Sequence, residues 1–271
     1  MHTAWPEKSP DVLDLAALQR LLTTQTFGRT LYILPSTTST NDIVKALARH
    51  GAPEGTVVVA EHQTHGRGRY GRTFASPARV GIYLSLLVRP QVDTIRLPQL
   101  TLAIAVAAAE ALVEYCALPV CLKWPNDVEM HGKKVAGILS EAVLGAGVSP
   151  VAIIGIGINV NTTLEHLPPE LHQHVTSLAL VAGHPWPRLP LIAVLLAHLE
   201  RLYQAFHQGD IPPILQRWLH YGQILGRQVR FTHEYSAGTG TVVGLDEDGA
   251  LLVQNTDGMR QRLVAGEVTF I

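Results

Sequence analysis

Cysteine is almost absent from this 271-residue sequence. Cys116 and Cys121 are the only two, too few for a disulfide framework or a thiolate zinc site. They read as small buried apolar residues in a reducing, cytoplasmic setting. Charge is also scarce. Charged residues make up 16% and the formal net charge is -1, so no global basic field exists to draw nucleic acid and any basic function has to be local. Long apolar runs are missing: the longest covers residues 102–109, well short of the ~20 residues that cross a bilayer. The first residues lack a basic segment followed by an apolar one, so neither a signal peptide nor membrane attachment is expected. Internal repeats, low-complexity tracts and the phosphate loop Gly-x-x-x-x-Gly-Lys-Ser/Thr are absent too. No Ser/His/Asp or Cys/His set stands out, and none of the thirteen histidines reads as catalytic.

What is present is enough apolar material, 47% of residues, for a sizeable core: one large domain, or a core with a small satellite. One helix is expected in the first thirty residues, at 13–22, which leaves no room for a winged-helix or helix-turn-helix domain ahead of the core. Ser39 reads as a helix cap with Asp42 as its capping-box partner; Ile43, Val44, Ala46 and Leu47 follow at helical spacing, and Gly51 is the stop. Strands are expected at 56–60, 81–88, 120–123 and 151–158, with a hairpin running from 127–130 through His131-Gly132 into 135–142. Residues 98–115, apolar almost all round, read as a buried helix. Further helices are expected at 191–207 and 213–220, the last with Pro213 in its first turn. After Gly222, short strands punctuated by Gly238, Gly249 and Gly258 read as a small antiparallel β-barrel.

Five segments carry chemistry. In Gln63-Thr64-His65-Gly66-Arg67-Gly68-Arg69-Tyr70-Gly71-Arg72, glycine allows close backbone approach and arginine supplies forked donors for phosphate or carboxylate oxygens. That suits an anion that must be gripped and enclosed; alone, it reads equally as a solvated basic loop. Lys123-Trp124-Pro125-Asn126-Asp127 reads as an extended, stiff strand end that fixes the Asn126 and Asp127 oxygens. Asp is a common magnesium ligand where phosphates complete the shell, although Asn-Asp is also an ordinary turn. Lys134 stands at the mouth of a small-residue strand, Val135-Ala136-Gly137-Ile138-Leu139, where it is either an edge lysine or a counter-charge for a carboxylate or phosphate. In Gly155-Ile156-Gly157-Ile158-Asn159 the alternating glycines imply close approach by a ligand or another chain segment. Asn159 then falls at a strand end, where ligands gather in open sheets. Ser39-Thr40-Asn41 caps a helix and can also bond a neutral polar ligand.

Each segment alone is weak, but their order is specific. Together with Gly244-Leu245-Asp246-Glu247-Asp248-Gly249-Ala250-Leu251 and the closing Gly266-Glu267-Val268, the sequence resembles the biotin protein ligases from about Leu31 to Ile271. The resemblance implies an α/β (α+β) fold: a mixed-sheet core of the class II synthetase and biotin ligase type, plus the small C-terminal barrel. The expected division is a helical extension over 1–30, a catalytic core over 31–221 and the C-terminal unit over 222–271. It implies a two-step reaction with biotin and ATP as substrates and Mg²⁺ as helper. Biotinyl-5′-AMP forms first, and biotin then passes to a lysine of a biotin carboxyl carrier protein of the acetyl-CoA carboxylase type. Carried over by position, Ser39, Thr40, Asn41, Gln63, Arg67, Gly68, Arg69 and Lys134 would surround biotin. Arg69, Arg72, Phe74, Trp124, Asn126, Asp127 and Asn159 would line the ATP side, with Asp127 toward the metal. Arg67, Arg69 and Lys134 would be the catalytic charges.

Tyr70 and Phe74 depart from the pattern, since many relatives have arginine and tryptophan there; both alter the adenylate loop. With no DNA-binding domain expected, ligase activity without repression or DNA binding is predicted, and an exposed sheet edge is expected to allow a homodimer. Three rival readings remain at this point: a lipoate or octanoate transferase on the same fold, a nucleic-acid module using Arg67, Arg69, Arg72 and Tyr70, and a catalytically dead biotin-binding protein. The first is disfavoured by the Gly-Arg-Gly-Arg loop, the second by the net charge, and the third by intact Lys134, Asn126 and Asp127.

Overall fold

A computed structural model describes residues 11–92, 96–143, 151–233 and 236–271. Asp14 caps helix α1 (Leu15–Leu21), accepting from the Ala17 N–H at 2.6 Å. Strand β1 (Leu31–Leu34), which the apolar pattern did not predict, leads into helix α2 (Thr40–Arg49) and strands β2 (Val57–Ala60) and β3 (Gly81–Val88). Helix α3 (Leu97–Cys116) carries Pro98 in its first turn, where its missing N–H would have had no helical partner anyway. Strands β4 (Cys121–Lys123), β5 (Asp127–Met130), β6 (Lys133–Val143) and β7 (Val151–Asn159) follow. Residues 124–126 turn between β4 and β5 through a cis Trp124-Pro125 bond instead of extending, because only three residues reverse the chain there. The β5–β6 reversal falls on His131 and Gly132, both at positive φ (52° and 73°).

These strands form one sheet in the order β1-β2-β3-β7-β6-β5-β4, with β1 and β2 parallel and all other neighbours antiparallel. Helices α4 (Leu178–Ala182), α5 (Arg188–His207) and α6 (Ile211–Gly222) come next. The C-terminal strands β8 (Gln228–His233), β9 (Ser236–Leu245), β10 (Leu251–Gln254), β11 (Arg260–Leu263) and β12 (Glu267–Phe270) make a second, wholly antiparallel sheet in the order β11-β10-β9-β8-β12.

The two faces of the large sheet are unequal. Helices α3, α5 and α6 cover one face; Leu100, Ile104 and Leu112 of α3 meet Leu195 and Leu199 of α5 and Ile82, Leu84 and Leu86 of β3 in the main core. Both α3 and α5 are long and apolar enough to cross a membrane, yet most of each is buried inside the protein. The other face holds α2 alone, over a small core of Val44, Val58, Leu87 and Ile153. Because side chains alternate along a strand, Ser85, Gly137, Leu139, Glu141, Gly155 and Gly157 share this second face.

Two polar ties matter. Arg188, fully buried, bonds Glu61 at 2.6 Å, Asp11 at 2.9 Å and the Gly81 carbonyl at 3.1 Å, while Glu61 also accepts from the Leu13 N–H at 2.8 Å. This fastens the segment before α1 to the core. The second tie corrects an expectation. Ser39 is the cap residue of α2, but its side chain makes no cap bond, so the Ser39–Asp42 box does not form. Gln63 takes its place: Oε1 accepts from the Thr40 N–H at 2.9 Å, and Asp42 instead pairs with Arg67 at 2.8 Å.

Candidate functional site

Glycine hollows out the α2 face of the sheet. A Cβ on Gly155 would lie 2.5 Å from Asn41 Oδ1, one on Gly157 2.5 Å from the Phe74 ring, and one on Gly137 2.8 Å from Lys134 Cε. The alternating glycines thus leave room for three side chains to lie flat on β6 and β7. The start of α2 meets this floor, with Ser39, Thr40 and Asn41 all buried. Ser85 Oγ stands 2.7 Å from Thr40 Oγ1 and 2.5 Å from Asn41 Oδ1. Gln63 Oε1 accepts from Thr40 Oγ1 at 3.2 Å, and its Nε2 donates to Ser76 at 3.0 Å. Asn41 donates to Glu141 at 2.5 Å, and Lys45 and Arg67 reach the same carboxylate at 2.7 and 3.3 Å. Burial pushes the Glu141 carboxyl up, but Lys45, Asn41 and Arg67 outweigh it and hold it below the usual carboxylate range. The result is a narrow pocket on the β3–β7–β6 surface, with Leu139 and the Phe74 ring as its apolar lining, a set of neutral hydrogen-bonding groups from α2 and Gln63, and Arg67, Arg69 and Lys134 at its edge. Such a pocket suits a ligand with a neutral polar head and an apolar body.

The glycine-arginine loop closes the pocket as a small hairpin. Phe74 N–H donates to Gly66 O at 2.9 Å and Gly68 N–H to Arg72 O at 2.7 Å. A Cβ on Gly66 would stand 2.3 Å from the Phe74 carbonyl, so only glycine permits this approach. The tip is a 3₁₀ turn over Arg69–Gly71. Arg67 turns back to Asp42 and Glu141. Arg69 donates to Asn126 Oδ1 at 3.3 Å and to the Tyr70 hydroxyl at 2.9 Å.

Beyond the loop lies a wider cleft of about 370 Å³, walled partly by the second sheet through residues 266–269. Lys134 Nζ lies 2.6 Å from Asp127 Oδ1. Asn126 Nδ2 is fixed on the Ile138 carbonyl at 2.7 Å. Trp124 is buried and donates to the Gly249 carbonyl at 3.4 Å. Asn159 is 2% exposed and its Oδ1 has no partner; a buried acceptor in that state is poised for a donor from a ligand.

All eight residues expected around the carboxylic acid substrate line the narrow pocket: Ser39, Thr40, Asn41, Gln63, Arg67, Gly68, Arg69 and Lys134. All seven expected around the nucleotide line the wide cleft: Arg69, Arg72, Phe74, Trp124, Asn126, Asp127 and Asn159. Gly68, Arg69, Phe74, Asn126 and Lys134 border both spaces. Two cations therefore stand where an anion from one side would meet an anion from the other, and they can offset the repulsion between them. Among the described residues no group of three or more His, Cys, Asp or Glu gathers to hold a metal. Asp127, on the wall of the wide cleft, can complete the shell of a cation already held by phosphates.

Sequence reasoning missed Glu141 and Ser85, and it marked Gly266-Glu267-Val268 as a family motif without bringing it to the site. Glu141 had a signal, since it follows Gly137 and Leu139 at the two-residue strand period. Ser85 had a weaker one, as the lone polar residue of an apolar strand. The motif at 266–268 did not show where the turn lies, because only tertiary packing brings it to the cleft.

Residues 33–159 match the biotin/lipoate A/B protein ligase family, and residues 224–270 the biotin protein ligase C terminal domain. The bifunctional ligase/repressor BirA of Bacillus subtilis is 35% identical over 94% of this chain and 78% of that protein. The biotin--[acetyl-CoA-carboxylase] ligase of Paracoccus denitrificans is 34% identical over 88% of this chain and 99% of that protein. Among solved structures, the biotin protein ligase from Aquifex aeolicus in complex with biotin and ATP aligns with a TM-score of 0.78 at 32% identity, over 90% of this chain and 99% of that one.

Proposed function

This chain belongs to the biotin/lipoate A/B protein ligase family, as a biotin protein ligase, and we propose that its two adjoining pockets perform the two halves of one reaction. Biotin enters the narrow pocket, its ring among Ser39, Thr40, Asn41 and Gln63. ATP enters the wide cleft beside Trp124, Asn126 and Asn159, whose unpaired Oδ1 suits an amino donor such as that of adenine. A biotin carboxylate oxygen attacks the α-phosphorus; the bond to pyrophosphate breaks and biotinyl-5′-AMP forms. A neutral lysine amine of a biotin carboxyl carrier protein then attacks the acyl carbon, AMP leaves, and the amine proton is lost to solvent.

The carrying observation is the shared border, with Arg69 and Lys134 at the junction of the two spaces. Lys134 holds the carboxylate and α-phosphate oxygens as charge shifts between them. Arg67 and Arg69 belong to the loop that keeps the acyl-adenylate from water. Asp127 would be a carboxylate placed to hold a Mg²⁺ that accompanies the ATP phosphates, and the ion would supply charge neutralisation there. No side-chain nucleophile is required, since the substrate carboxylate itself attacks. In this reading residues 31–221 are the catalytic core, 1–30 an extension and 222–271 a C-terminal domain that supplies one wall of the cleft.

The test is a mass spectrum of a purified biotin carrier domain after incubation with this protein, ATP, Mg²⁺ and biotin. The expected result is a gain of one biotinyl group that requires ATP. No gain, with no pyrophosphate released from biotin and ATP, would sink the reading; a gain with lipoate in place of biotin would redirect it to the other branch of the family.

A further inference from the structure

The tip of the glycine-arginine loop is fastened at two places. On the core side, Arg69 Nη1 is 3.3 Å from Asn126 Oδ1, and Asn126 is itself held on the Ile138 carbonyl. On the other side, the Tyr70 hydroxyl accepts from the Gly266 N–H at 3.0 Å, and Arg72 pairs with Glu267. The same hydroxyl accepts from Arg69 Nη2 at 2.9 Å, with the guanidinium 4.9 Å from the centre of the Tyr70 ring. Tyr70 has φ 56°, a conformation that residues other than glycine seldom adopt without surrounding contacts to fix it. Here the contact comes from the turn that enters β12. A loop with three glycines in seven residues would otherwise sample many backbone states.

We propose that Tyr70 and Glu267 are positioning residues: they clasp the loop to the C-terminal sheet before any substrate binds, and so aim Arg69 at the junction of the two pockets. This rests on the reading of those pockets as the biotin and ATP sites. The C-terminal sheet then has a task of its own in the reaction. It keeps the lid formed, so the acyl-adenylate is retained from the moment it is made.

Amide hydrogen exchange of the substrate-free protein tests the clasp, comparing the parent with Tyr70→Phe, Glu267→Gln, the double variant and Glu267→Asp. Protection of the Gly68 and Phe74 amides is expected in the parent and in Glu267→Asp, which keeps the ion pair. Exchange about tenfold faster is expected in the double variant, from the loss of one hydrogen bond and one exposed pair. Amides of β9 serve as the control for an intact C-terminal sheet. With biotin, ATP and no acceptor, escape of biotinyl-5′-AMP from the double variant is expected to be about tenfold faster as well. Unchanged exchange at Gly68 and Phe74 overturns the clasp; faster exchange with unchanged escape overturns its part in the reaction. A parent that releases no pyrophosphate would count against the assigned substrates instead, and the exchange measurement, made without them, would still decide the clasp.

Discussion

Replacing Lys134 with Met separates charge from packing. The lysine stem lies over Gly137, where a Cβ would come within 2.8 Å of Lys134 Cε, and methionine keeps an unbranched chain over that glycine while removing the ammonium. A unit charge about 4 Å from the developing charge contributes about 4 kcal/mol at an effective dielectric constant of about 20. Two features reduce this: the Lys134 side chain is 30% exposed, and Asp127 stands 2.6 Å from the ammonium. Halving the figure leaves about 2 kcal/mol, or a roughly thirtyfold slower chemical step. The assay is pyrophosphate release in a single turnover, with enzyme in excess and both pockets saturated, so that affinity does not enter. The thermal midpoint is expected to stay near that of the parent, because the apolar contact survives. A single-turnover rate within threefold of the parent would show that the ammonium does not face the transferred charge.

Three further outcomes are expected. Gly155→Ala forces aside the buried Asn41 amide, whose Oδ1 would sit 2.5 Å from the new methyl; KM for biotin should rise at least about tenfold with little change in folding, and an unaltered KM would remove Asn41 from the biotin site. Arg188→Leu leaves the Glu61 carboxylate with only the Leu13 N–H and should lower unfolding free energy by about 3–5 kcal/mol, checked by urea titration; a loss under about 1 kcal/mol would contradict the tie between the N-terminal segment and the core. Glu141 is held below its usual value of 4.5, so its stabilising effect is fully present above that value and lost as pH falls through the depressed one. The stability difference between the parent and Glu141→Gln should therefore be constant above about pH 5.5 and shrink in more acid solution; a difference independent of pH down to about 3 would falsify the assignment.

The glycines were the most informative letters in the sequence. Alternation at 155 and 157 said that something approaches the strand closely, and the structure supplies Asn41 and the Phe74 ring. The long helices and the β5–β6 hairpin were legible for a similar reason, since period and turn chemistry are local. What could not be read depends on partners distant in the chain. Ser39 and Asp42 have the spacing of a capping box, yet Gln63, reaching back from the loop, is the better-placed acceptor. The β1 segment is only four residues long, and its burial comes from parallel pairing with β2. Tyr70 stood out only as a departure from the family's pattern, and its bond to Gly266 spans 196 residues.

The unequal faces of the large sheet separate two kinds of sequence constraint. The α3–α5 face holds most of the buried apolar side chains and none of the residues assigned to substrate, so drift there registers as foldedness alone. The α2 face places its small core beside the pocket, and a change of residue there registers first as a change in which acyl group fits. A library aimed at new acyl substrates can therefore be confined to α2-face positions such as Asn41, Ser85 and Leu139, leaving the helical layer as an untouched reserve of stability.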